Sequence, residues 1–445
     1  MYKNRDNYDF LTSAPVHKVI HSMALPTIAS MLITNLYNMA DTFFVGHIDT
    51  QSTAAVGVVF PVMSIIQSIG FFFGHGSGNY ISQQLGARHA ENARRMASTG
   101  FFYSVGFGCV LMAAGLCLLT PISVLLGSTP TILPYTERYL GIILLGVPFM
   151  TGSLTLNNQM RFQGNAVYAM YGILSGAVLN MGLDPLFIFV LGMGVSGAAC
   201  ATLLSQICSF VLLLFMSRRS GNIPVSVRWF TFSPSFLKEI CMGGTPSLLR
   251  QGLGSFATIL LNVAAGAYGD AAIAGMSIVN RISFFVYSAV IGLGQGFQPL
   301  CGFCYGAKLY ARVREGFVYC VKLGTAFLTA CAVVGFIFSG GIIGVFRDDP
   351  AVIEVGVSAL RWQLVAYPLV ALIVTANMLL QTIRKTGRAN LVAAARSGLF
   401  FIPLIIFLPH FFGVQGVEMC QAVSDVCSFA VALPIVIDTF RKMGQ

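Results

Sequence analysis

A chain of 445 residues that is 56% hydrophobic and 9% charged cannot cover a soluble surface, because soluble domains carry about a quarter charged residues. The formal charge of +10 raises nucleic acid as a partner, but the basic residues are scattered without a basic surface of interleaved aromatics, which excludes it. The eleven cysteines lie almost wholly in apolar runs and the six histidines are dispersed, which reads as buried thiols rather than disulfides or a metal site.

Apolar runs of about 20 residues, enough to cross a bilayer, recur from end to end and predict an all-α integral membrane protein of twelve helices. The polar lead-in MYKNRDNYDFLTSAPVHK lacks the pattern of a cleavable signal. The first span, 16–45, carries Tyr37 and Asp41. Spans 53–81 and 91–118 follow, with Arg88, Arg94 and Arg95 around their junction. The fourth, 133–160, carries Tyr139 and Asn157 and is followed by Arg161. The fifth, 166–190, holds Asn180 and Asp184 before Pro185, and the sixth, 194–216, holds Thr202. After a polar linker at 218–235, spans 236–268, 273–302, 313–345, 352–381, 390–412 and 414–440 complete the chain. Arg281 falls in the eighth and Asp425 in the twelfth.

With alternating spans, Lys3, Arg5, Lys18, Arg88, Arg161, Arg228, Lys308, Arg384 and Lys442 all fall on one side. The other side holds Asp49, Glu137, Asp270, Asp348, Asp349 and Glu354, with few basic residues. This positive-inside pattern puts both termini in the cytoplasm of a multi-pass plasma (inner) membrane protein.

The chain is written twice. Pro26, Gly46, Pro148 and Asn157 match Pro246, Gly266, Pro368 and Asn377 at an offset of 220. GHGSG at 74–78 matches GLGQG at 292–296, and SQICSF at 205–210 matches SDVCSF at 424–429. The expected domains are therefore a six-helix lobe at 1–217, the cytoplasmic linker 218–235 and a second six-helix lobe at 236–445. Six is even, so the repeat is parallel, an architecture of alternating-access carriers. The glycine clusters follow no strand, and no GxxxxGK[ST] occurs, so they read as close helix contacts rather than a nucleotide site. Without ATP such a carrier runs on an ion gradient, with H+ or Na+ as coupling ion and no cofactor.

An ion-coupled carrier needs a buried group whose charge changes or is balanced by a bound cation, and carboxylates serve both ends. Only Asp41, Asp184 and Asp425, of sixteen acidic residues, fall in the middle third of a span. Asn180 lies one turn before Asp184, so both face one way. Pro185 frees a backbone carbonyl nearby, and Thr202 offers a hydroxyl at similar depth. By the repeat, Asp184 aligns with Ile402 and Asp41 with Leu261, which places this polar cluster in the first half alone. Arg281 and Asp425 are charges particular to the second half, and the expectation is that they pair.

At NMADTFFVGH and NMGLDPLFIF the chain resembles the multidrug and toxic compound extrusion (MATE) family. VNRISFFVYSAVIGLGQGFQPLCGFCYGAK is similar to its MepA-type branch. The resemblance implies a V-shaped pair of lobes and export of amphiphilic, often cationic drugs against H+ or Na+, by a membrane antiporter that is no enzyme and works as a monomer. It implies a cation or proton site, with Na+ as a candidate, at Asp41, Asn180, Asp184 and Thr202, accompanied by Tyr37, Tyr139 and Asn157. The helix-seven acid of another branch is missing, where SLLRQGLGSF offers Arg250 and Gln251. A flippase or exporter of lipid-linked precursors is the alternative, supported by Arg250 and Arg281. A membrane-embedded enzyme needs a paired-acid motif, and Asp348 in DDP stands alone in an outer loop.

Overall fold

The computed structural model describes residues 5–219, 221–347 and 349–443, so Lys3 and Asp348 lie outside the described residues. The first half runs α1 (Arg5–Ser13), α2 (Val16–Val45), α3 (Thr50–Gly86), α4 (Ala90–Cys117), α5 (Leu119–Leu125), α6 (Leu133–Leu145), α7 (Val147–Phe162), α8 (Ala166–Pro185) and α9 (Gly194–Met216). The second runs α10 (Pro234–Gly266), α11 (Asp270–Gly306), α12 (Tyr310–Ile337), α13 (Ser339–Phe346), α14 (Pro350–Thr382), α15 (Thr386–Ala394), α16 (Phe401–Phe412) and α17 (Val414–Met443). Among the described residues eleven spans are long and apolar enough to cross a bilayer, and the bent pair α6–α7 makes a twelfth. The fold is an all-α integral membrane protein with no strand among the described residues.

Four expected spans are interrupted, the ninth at Phe338 between α12 and α13. The fourth bends by 47° at Gly146, where Pro148 in the first turn of α7 has no N–H to continue the helix from α6. The fifth passes into a π turn at Leu186–Val190 directly after Pro185. The eleventh is split by a second π turn, Ala395–Leu399. Such turns cluster at functional sites. The lead-in, expected only to be polar, forms α1, which lies against both halves. Asn7 Nδ2 donates to Gln163 O at 3.1 Å, and Arg312 Nη2 donates to Ala14 O at 2.6 Å.

The halves meet at the basic end and are separate beyond it. One core joins Ile20, Met23, Phe73 and Ile81 of the first half to Phe297, Leu300, Phe303 and Leu380 of the second. Farther from the basic end each half keeps its own core, around Tyr139 and Ile188 in the first and around Phe401 and Val279 in the second. The glycine clusters make the joint possible. A Cβ on Gly76 would stand 2.3 Å from Ile240 O, and one on Gly244 would stand 2.3 Å from Phe72 O. Gly296 similarly admits Ala24 of α2. Helix backbones therefore touch directly across the seam, the close-contact role that the sequence suggests for these clusters.

Candidate functional site

The fifth and sixth helices of the first half face α2, and their polar residues converge. Asn180 and Asp184, one turn apart on α8, are buried, as is Thr202 on α9. With its nitrogen toward Asp184, the Asn180 amide donates to Oδ2 at 2.9 Å and accepts from Thr202 N–H at 3.2 Å. The opposite orientation retains only a 3.3 Å bond to Thr202 Oγ1. From α2, Asp41 lies within electrostatic reach of Asp184. Tyr37, also on α2, lies within electrostatic reach of both carboxylates and beside Thr202. Tyr139 of α6 is fully buried within reach of the same acids. Asp41 Oδ1, Asp184 Oδ1 and Tyr139 Oη are buried without a hydrogen-bond partner. A set of hard oxygens with unsatisfied lone pairs can hold a proton or a small cation.

Asn157 stands apart from this cluster. Its Nδ2 donates to Ala169 O at 2.7 Å, tying α7 to α8. Its repeat mate Asn377 makes the same bond to Ala389 O at 2.8 Å. A bond written into both halves serves the fold.

The expected pair of Arg281 and Asp425 does not form. Arg281 is on the exposed side of α11, while Asp425 is claimed from the next helix by Arg396. Arg396 Nε and Nη2 donate to its two oxygens at 2.7 and 3.3 Å, and Gln421 Nε2 donates to Oδ1 at 2.9 Å. Ser424 Oγ donates to the Arg396 carbonyl at 2.6 Å, fixing the π turn against α17. The guanidinium lies over the Tyr287 ring at 4.3 Å. So Asp425 does have a cationic partner in the second half, but it is Arg396 and not the expected Arg281.

Arg161 was grouped with the loop charges, yet it is buried at the seam between the halves. Its guanidinium donates to Gln295 Oε1 at 2.6 Å and Asn158 Oδ1 at 2.5 Å, and meets His75 Nε2 at 3.1 Å. His75 Nδ1 meets Ser247 Oγ at 3.1 Å, and Gln381 Nε2 donates to that hydroxyl at 2.7 Å. A sequence signal was present for two of its members: His75 and Gln295 lie inside the matching glycine clusters GHGSG and GLGQG. Arg250, which stands where another branch carries an acid, donates to Asn377 Oδ1 at 2.7 Å.

The MatE family model matches residues 26–186 and 246–407, one match in each half. The multidrug export protein MepA of Staphylococcus aureus (strain MRSA252) is 26% identical over 433 residues, covering 96% of this chain and 95% of that protein. MepA of Staphylococcus saprophyticus is 25% identical, covering 98% and 96%. A solved outward-facing conformation of a multidrug resistance MATE family transporter of the MOP superfamily superposes with a TM-score of 0.92 at 25% identity, covering 98% of each chain. A MATE crystallised in complex with MaL6 shares the fold, with a TM-score of 0.93 at 24% identity over 98% of this chain and 99% of the other.

Proposed function

This chain belongs to the MatE family of transporters, and we propose that it is a secondary active multidrug exporter that expels amphiphilic, often cationic compounds in exchange for H+ or Na+. The converged carboxylates carry this reading. Asp41 and Asp184 share one buried site with Asn180, Thr202 and Tyr37, and leaving both charges bare there is unfavourable. A proton, a Na+ ion or a cationic drug would each relieve the site, and they exclude one another. Mutually exclusive occupancy gives antiport when only the occupied carrier switches between its two faces, so that binding of the ion releases the drug.

In this reading the basic end faces the cytoplasm, with both termini there, in the plasma (inner) membrane. The halves, closed at the basic end and parted beyond it, then form the outward-open state, and the protein works as a monomer. Drug leaves toward the exterior when the external ion reaches the acids. The ion-loaded, neutralised site permits the lobes to rock inward, where ion and drug exchange again. The names of the Staphylococcus relatives support multidrug export. The alternative, a lipid-linked precursor flippase, drew on Arg250 and Arg281; the first is engaged by Asn377 and the second is exposed.

The test is transport by the purified protein in liposomes carrying an amphiphilic cationic dye, with proton and sodium gradients imposed separately. Dye movement driven by one gradient and not the other identifies the ion. Dye that moves under neither gradient overturns the antiport reading.

A further inference from the structure

At the end of the second half away from the basic end, α14 carries a polar face that transport does not use. The helix buries Ala359, Leu360 and Leu364 in the core it shares with α11. Its other side walls a cavity of about 570 Å³. Glu354, Ser358, Arg361 and Val365 follow one another there at spacings of four, three and four residues, one face of a helix. Trp362 and, from α12, Phe336 line it too. Phe336, Trp362 and Val365 are 46%, 43% and 68% exposed. The lobes meet through α2, α3, α10 and α11, whereas this cavity stands on α12 and α14, so it opens on the surrounding lipid.

Arg361 is held but not neutralised. Its Nε donates to Ser339 Oγ of α13 at 3.1 Å, and its guanidinium carbon lies 5.0 Å from the centre of the Phe336 ring. The terminal nitrogens have no partner among the described residues. A bare guanidinium in a spanning helix is unfavourable, and one fixed in this way offers its fork to a phosphate. Glu354 stands two turns nearer the start of α14. Between the two, Ser358 donates to Glu418 of α17, which is within electrostatic reach of Glu354. Two acids to one guanidinium repel a wholly anionic headgroup and suit one that carries an ammonium beyond its phosphate. The repeat is a control. At the offset that pairs Pro148 with Pro368, Arg361 aligns with Gly141 and Glu354 with Pro134 (361 − 141 = 220; 354 − 134 = 220). The first half folds without these charges.

We propose that this cavity binds a zwitterionic phospholipid from the leaflet opposite the basic end, one with an ammonium headgroup such as phosphatidylethanolamine. Arg361 takes the phosphate, and Glu354, farther out, takes the ammonium. The acyl chains lie along Trp362 and Val365. From Glu354 to Val365 the lining runs about 16 Å along the helix, the reach from a headgroup into the chain region. Trp362 then stands at the boundary between the two, the usual place of tryptophan in a membrane protein. Lipid held here is independent of what the protein transports.

Native mass spectrometry of the purified, lipid-depleted full-length protein tests the site, with dioleoyl phosphatidylethanolamine and dioleoyl phosphatidylglycerol added alone and in competition. The wild type should retain one ethanolamine lipid in preference to the glycerol lipid. Arg361→Gln should weaken that binding by about tenfold, the effect of one charged hydrogen bond, and Arg361→Lys should fall between. Glu354→Gln, which alters an exposed side chain, should bring the two lipids within about twofold of each other. Position is read from fluorescence. The chain has two tryptophans, so Trp229→Phe leaves Trp362 as the reporter. Phosphatidylethanolamine brominated on its chains should quench Trp362 more than brominated phosphatidylglycerol at equal mole fraction, and Arg361→Gln should abolish the difference. Equal binding of both lipids by the wild type, or a preference for the glycerol lipid, would overturn the proposal. So would unchanged ethanolamine-lipid binding in Arg361→Gln, or an unchanged preference in Glu354→Gln. Complete displacement of the brominated lipid by free phosphoethanolamine would assign the site to a soluble phosphate ester and overturn the lipid.

Discussion

Asp184 and Asp41 each bury one carboxylate oxygen without a partner, and they feel each other's charge. They should therefore act as one unit in coupling. Asp184→Asn is expected to abolish gradient-driven dye export while leaving thermal stability near wild type. Asp41→Asn and the double variant should be equally inactive, because removing either acid empties the shared function. Additive losses in the double variant would assign Asp41 a separate role. Asn157 makes the opposite prediction. Asn157→Ala removes one interhelical bond and should lower stability by about 1 kcal/mol, whereas Asn377→Ala removes two, the second from Arg250, and should cost more. Export per folded molecule and its ion dependence should be retained in Asn157→Ala, which a thermal-melt series beside a transport assay would check.

At the scale of the helix, the seam between the lobes is built from backbone. Gly76→Val puts side-chain atoms where Ile240 O already stands, and Gly244→Val does the same at Phe72 O. Both should force the basic end apart, raising thiol-reagent access to cysteines placed there. Gly252→Ala on α10 meets nothing within 4 Å and should be neutral or slightly stabilising. Much of this level was legible in the chain. Span positions followed from apolar run length, and Asn180 and Asp184 shared a face because they are one turn apart. Arg396 was not legible, for a geometric reason. The repeat offset is 220 at Ala169 and Ala389 (389 − 169) and 218 at PLFIF and PLIIF (403 − 185). The register changes between these markers, where the π turn lies, so Arg396 has no defined mate and its partner on α17 cannot be inferred. Arg161 was misplaced because a charge one residue past an expected span end reads as a loop charge, whereas α7 continues to Phe162.

Across the whole molecule, the Arg161 network is the polar fastening of the closed end. It joins α3 and α7 to α10, α11 and α14 through His75, Gln295, Ser247 and Gln381. Arg161→Gln should shift the lobes toward the state open at the basic end, by about tenfold in population, which corresponds to a free-energy change near 1.4 kcal/mol. Pairs of spin labels on α4 and α12 near that end would report a second, longer distance; a single unchanged distance would assign the network to stability alone. The helix α1 extends the argument from the finished protein to its making. Its last turn is held by groups of the second half: Cys304 Sγ donates to Leu11 O across 293 residues, and Arg312 Nη2 donates to Ala14 O across 298. A ribosome that has delivered the first six spans has made the partners of Asn7 but not the donors to Leu11 O and Ala14 O. The strap must wait on the nascent chain until α11 and α12 are inserted, and closing the basic end is then among the last steps of biogenesis. An obstruction at the N-terminus would consequently be felt late, as a transporter fully inserted but unable to seal.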